Sequence, residues 1–90
     1  MNNKIELIEG ATYKLKVGLY AEKFNEKHEF GTLGMFNAGN HVFYDYEKDG
    51  WHIFGAFEPS IGYYVRIPDY IVDEQVELVD KENLVPLKKL

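Results

Sequence analysis

The sequence predicts a small all-β domain, a barrel or sandwich of about five to seven short antiparallel strands. Three observations carry this. Residues 12–19 alternate strictly, with Tyr13, Leu15, Val17 and Leu19 on one side and Lys14, Lys16 and Gly18 on the other, the period of a half-buried strand. Asp49-Gly50 joins two runs rich in aromatic and β-branched residues, the strongest short-range hairpin signal. Turn residues recur at short intervals, with no long helical period, internal repeat or low-complexity segment between them.

Ile5, Leu7 and Ile8 predict a short added strand within residues 1–9, ending at Gly10. The strand over 12–19 comes next. Residues 21–31 are polar and predict a long loop pinned by Phe24 and Phe30, with room for one helical turn through the Glu22 and Glu26 spacing. Thr32–Phe36 predicts a strand, and Asn37-Ala38-Gly39-Asn40 a turn, because Gly and Asn tolerate positive φ. His41–Glu47 and Trp51–Phe57 predict the two arms of the hairpin. Glu58–Gly62 turns again and Tyr63–Ile67 returns. Pro68 has no N–H to give a ladder and ends that strand. Gln75–Val79 closes the sheet, and residues 83–90 form a short tail.

Ninety residues specify one domain. A chain this short buries only roughly 60–65% of its unfolded surface, so its core must be dense. Six Phe, seven Tyr and one Trp supply that density. The absence of cysteine excludes disulfides, thiolate metal sites and a cysteine nucleophile, and favours a cytoplasmic location. No run approaches a signal-peptide core or a membrane span. The formal net charge of −5 disfavours nucleic acid and anionic lipid as partners. The acids concentrate between Asp69 and Glu82.

Four landmarks in order resemble the Src-homology-3 family. Val17-Gly18-Leu19-Tyr20-Ala21 is similar to its first-strand segment and Phe36-Asn37-Ala38-Gly39-Asn40 to its diverging turn. Asp49-Gly50-Trp51-His52 is similar to the turn that delivers its groove tryptophan, and Gly62-Tyr63 with Ile67-Pro68-Asp69-Tyr70-Ile71 to its closing segment. The resemblance covers about residues 12–72 and implies an SH3-like barrel. It also implies a groove of aromatic side chains for a polyproline helix, with loop acids choosing a basic neighbour. Carried over, the groove residues are Tyr20, Trp51, Pro68 and Tyr70, and the loop acids Glu22, Glu26 and Glu29. The chain departs from the pattern where Glu22 replaces a second tyrosine, where extra residues separate Gly62-Tyr63 from Pro68, and in a longer loop after Tyr20.

No enzyme is expected. Ser60, the only serine, sits in a Pro-Ser-Ile-Gly turn without a strand-to-helix elbow. Asp45 and Glu47 share a strand face by alternation, as a wet hairpin face allows. Gly31, Gly34 and Gly39 precede no Gly-Lys-Ser/Thr and read as turn or bulge glycines. His28, His41 and His52 lack ligand spacing, so no metal or other cofactor is expected, although His41 and His52 on facing strands could approach one another. Of Tyr44, Tyr46, Trp51, Phe54 and Phe57, one alternating set goes to the core and the other is left for binding.

The leading expectation is a non-catalytic protein-binding module. The alternative is a small acidic accessory or inhibitor protein from a phage or mobile element, occluding a basic host surface with Asp73, Glu74 and Glu77. The expected partner is another protein, and an exposed edge strand also permits a homodimer.

Overall fold

The computed structural model describes residues 4–24 and 30–87. Seven antiparallel strands form one curled sheet. In chain order they are β1 (Thr12–Leu15), β2 (Leu19–Phe24), β3 (Phe30–Phe36), β4 (His41–Lys48), β5 (Trp51–Ala56), β6 (Tyr63–Pro68) and β7 (Val76–Asp80). Across the sheet the order is β3-β2-β6-β5-β4-β1-β7. A 3-10 turn (Asp69–Ile71) and a one-turn helix, α1 (Val72–Gln75), link β6 to β7. The all-β class holds, with seven strands.

The turns obey their residues. Asp49 and Gly50 both take positive φ, 52° and 81°, the geometry of a two-residue turn whose twist matches the strands it joins. Lys48 and Trp51 pair directly across it. At the preceding corner the Asn40 N–H donates to the Asn37 carbonyl at 3.1 Å. Pro68 is the last residue of β6, and the chain turns at once into the 3-10 segment.

Three expectations change. The strand over 12–19 is two strands. It bends at Lys16–Gly18 because β1 pairs with β4 and β7, whereas β2 pairs with β3 and β6. Val17 is therefore exposed instead of lying inward with Tyr13 and Leu15. The loop expected from residue 21 starts later, since β2 runs to Phe24 and β3 begins at Phe30; residues 25–29 lie outside the described residues. Residues 4–8 carry no strand ladder. They are held instead by the buried Tyr13 hydroxyl, which donates to the Glu6 carbonyl (2.7 Å) and accepts from the Ile8 N–H (2.8 Å). Burial outweighs the Ile8 bond and pushes the Tyr13 phenol up.

The concave face holds the core. Tyr13, Leu15, Ala21, Val42, Tyr44, Phe54, Val65, Ile67, Val72 and Val76 are buried there. Phe54 packs edge-on against Tyr13, with ring centroids 5.5 Å apart, and Tyr44 lies 5.3 Å away. Edge and tilted geometries suit the ring quadrupoles. Val72 gives α1 its one buried side chain and joins the helix to the core.

β5 is central, and every residue after Trp51 is buried. Part of its cover comes from a neighbouring strand. Phe43 pairs with Gly55 and lays its ring over it, so close that a Cβ there would meet the ring at 2.3 Å. Phe57 backs that ring edge-on at 5.4 Å. Glycine in mid-strand is the seat for an aromatic ring here.

A β-bulge in β4 sorts two tyrosines into different surroundings. Tyr44 pairs with Phe54 but Tyr46 with Ile53, so Asp45 is the extra residue. Strict alternation would put Tyr44 and Tyr46 on one face. The bulge separates them, leaving Tyr44 buried and Tyr46 exposed.

Candidate functional site

Of the expected groove residues, Trp51 and Pro68 meet at one end of β5 and β6, and Tyr70 follows closely in the chain. Trp51 and Pro68 are direct cross-strand partners. The Asp69 N–H donates to the Gly50 carbonyl (2.9 Å), which ties the segment after Pro68 to the turn before Trp51. Tyr70 comes next and is 80% exposed, the most exposed of the large apolar side chains described. Trp51 is 39% exposed, with the Arg66 guanidinium 5.2 Å over its ring. Tyr20, 67% exposed, stands on β2, the strand that meets β6 through the Glu22↔Tyr64 register.

Glu22 departs from expectation. It belongs to strand β2 and not to a loop, and its Oε1 accepts from Arg66 Nη2 at 2.9 Å. Its Oε2 is buried without a hydrogen-bond partner. Glu26 and Glu29 lie outside the described residues, as does His28.

The acidic surface is interlaced with lysines. Lys14 Nζ lies 2.9 Å from Glu77 Oε1 and holds that carboxyl below its ordinary value. Lys16 donates to the backbone carbonyl of Asp73 at 3.2 Å. Glu74 is exposed. Asp80 accepts from the N–H groups of Glu82 and Asn83, which also lower its pKa.

Joined to the aromatic surface through Asp69 is a partly buried arrangement that no sequence motif announces. His52 is only 5% exposed. Its Nδ1 is 3.0 Å from the Tyr44 hydroxyl and its Nε2 2.7 Å from Asp69 Oδ1. Lys4 forms an ion pair with the second Asp69 oxygen, and Glu47 Oε2 stands 3.5 Å from Nε2. Hydrogen bonds from Lys4 and His52 hold the Asp69 carboxyl below its ordinary range, so it is ionised and can only accept. His52 therefore donates from Nε2–H. With the ring neutral, Nδ1 accepts the Tyr44 proton. Burial first, then the charges of Glu47 and Glu9, push the Tyr44 phenol up to about 12, which keeps that proton in place.

The bulge assembles this group. Tyr44 and Glu47, three residues apart, would face opposite sides of a regular strand, yet both address His52. Glu47 pairs with His52 across the ladder. Asp45 no longer serves as its face-mate; burial, with Glu9 second, pushes the Asp45 carboxyl up. His41 and His52 do not meet. His41 begins β4, whereas His52 pairs near its far end. A depression of about 260 Å³ beside His41, lined in part by Phe36, Ala56 and Phe57, contains none of the expected groove residues.

Chemically, the exposed rings can stack on an extended apolar ligand, and the buried relay fixes the backbone that carries two of them. No helix among the described residues is long and apolar enough to cross a membrane. Comparison with protein-family models, curated proteins and solved structures returns no match.

Proposed function

We propose that this chain is a non-catalytic protein-binding module with an SH3-like barrel, which takes an extended, proline-containing segment of another protein across Tyr20, Trp51, Pro68 and Tyr70. The observation that carries the reading is the Trp51–Pro68 pair flanked by exposed Tyr70. Large rings left in solvent beside a proline cost hydration free energy unless something covers them, and a polyproline helix is an extended ligand that loses little entropy on docking. Further support comes from the landmarks of the resemblance, since Asp49-Gly50 turns directly into Trp51 and Phe36–Asn40 spans the β3–β4 corner.

The ligand preference differs from that of a groove with free acids. Glu22 is engaged by Arg66, so selection of a basic neighbour falls to other groups. The rival reading, occlusion of a basic surface by Asp73, Glu74 and Glu77, has less support because Lys14 and Lys16 share that surface.

The test is capture of partners from a lysate of the native host by the tagged chain, beside a Trp51→Ala, Tyr70→Ala double variant checked for folding by circular dichroism. A partner held by the wild type and lost by the folded variant supports the groove. Equal capture by both refutes it.

A further inference from the structure

We propose that Glu47, His52 and Asp69 form a binding site for a divalent transition metal, zinc in the first instance, which Lys4 occupies electrostatically when no metal is bound. One ligand atom from each residue lies within 4.8 Å of the others. The Nε2 to Oε2 separation of 3.5 Å is close to the edge of a tetrahedron built on metal–ligand bonds of about 2.0–2.1 Å. The shorter 2.7 Å to Asp69 is a hydrogen bond, and it lengthens when a metal replaces the proton.

Two features beyond proximity point to a cation. The imidazole is buried and locked, with Tyr44 on the nitrogen that does not face the carboxylates. This is the outer-shell arrangement that orients a ligating histidine. The charge also fits. Two carboxylates face His52 Nε2, and Lys4 pairs with only one of them, Asp69; a divalent ion balances both. One nitrogen and two oxygens suit zinc and its neighbours, whereas calcium and magnesium prefer all-oxygen sites. The carboxylates are about half exposed, 52% and 42%, so water completes the coordination.

Binding conserves protons. The Nε2 proton leaves, Nδ1 gains one, and the Tyr44 hydroxyl turns from donating to accepting. Lys4 stays charged and moves into solvent. Metal binding here requires no ligand in the groove, although Asp69 stands between Pro68 and Tyr70.

The experiment is a titration of the full chain with Zn²⁺ alone, followed by calorimetry and by the ¹⁵N resonances of the histidine rings. Wild type should bind one equivalent, with the His52 Nε2 resonance moving and the ring changing tautomer. Glu47→Gln and Tyr44→Phe should each weaken binding about tenfold or more. Lys4→Ala should tighten it. Lys4 and Glu47 are exposed at their side chains, 59% and 52%, so neither change threatens the fold. Absence of binding, shifts confined to His28 or His41, or an unchanged affinity in Glu47→Gln would each overturn the site. An unchanged affinity in Lys4→Ala would overturn the exchange.

Discussion

The His52 imidazole and the Asp69 carboxylate meet at 2.7 Å across the gap between β5 and the 3-10 turn. The contact joins a core residue to the segment that displays Tyr70. Together with the Asp69 N–H bond to the Gly50 carbonyl, it pins the Trp51 and Tyr70 ends of the aromatic surface to one point. For the proposed ligand, backbone anchored in this way lowers the ordering cost of docking.

Tyr44→Phe removes the hydroxyl that satisfies His52 Nδ1. A buried acceptor left without a partner costs about 1–3 kcal/mol. Urea denaturation should show a loss of that order, with the midpoint lowered and the m-value unchanged. No change in midpoint would mean that the ring finds another donor.

Ionisation gives stability a definite shape on the acid side. Asp69 has a depressed folded pKa, so its contribution is present above the ordinary value of 3.8 and is lost as pH falls through the lower folded value. Asp69→Asn keeps an acceptor for His52 and should flatten the acid limb of a stability–pH curve. Asp45 carries the opposite sign. Its raised folded pKa leaves its contribution intact below 3.8 and erodes it as pH rises through the folded value. Asp45→Asn should therefore stabilise the protein at neutral pH, measured as a higher thermal midpoint.

At the alkaline end Tyr44 dominates. Its contribution is complete below the ordinary phenol value of 10.0 and is lost between there and about 12. Unfolding observed by near-ultraviolet absorbance should begin above the ordinary phenol value of 10.0, and Tyr44→Phe should remove part of that slope.

Gly55→Ala inserts a methyl where the Phe43 ring lies. The ring, backed by Phe57, has to shift to admit it, which puts the cost within the about 1–3 kcal/mol range for overpacking. Its packing on Phe57 should be disturbed, which near-ultraviolet circular dichroism would register. Gly10→Ala should cost more than open-turn changes such as Gly39→Ala. Gly10 has φ 83°, and an added Cβ would stand 2.8 Å from the Val85 backbone carbonyl, whereas nothing lies near Gly39.

Features that depend on local chemistry were legible in the sequence. The Asp49-Gly50 turn, the inward Tyr13 and Leu15, the Asn37–Asn40 corner and the end of β6 at Pro68 all arise from backbone preference or period. Trp51 and Tyr70 could be named as surface rings by resemblance. The buried relay could not. It depends on an inserted residue at Asp45 that leaves no compositional mark, and on Lys4 meeting Asp69 across 65 positions of chain. The bend before Leu19 was hidden for a similar reason, because Val17 keeps the alternation while the pairing partners change.

The pairing of β1 with β7 also sets how the protein bears load. Thr12 stands opposite Asp80, so the two strand ends leading to the termini lie side by side. Tension applied through the termini peels this ladder one hydrogen bond at a time, after the Val85–Gly10 link, instead of shearing all its bonds together. In an optical trap the domain should open at low force, as a mechanically soft unit.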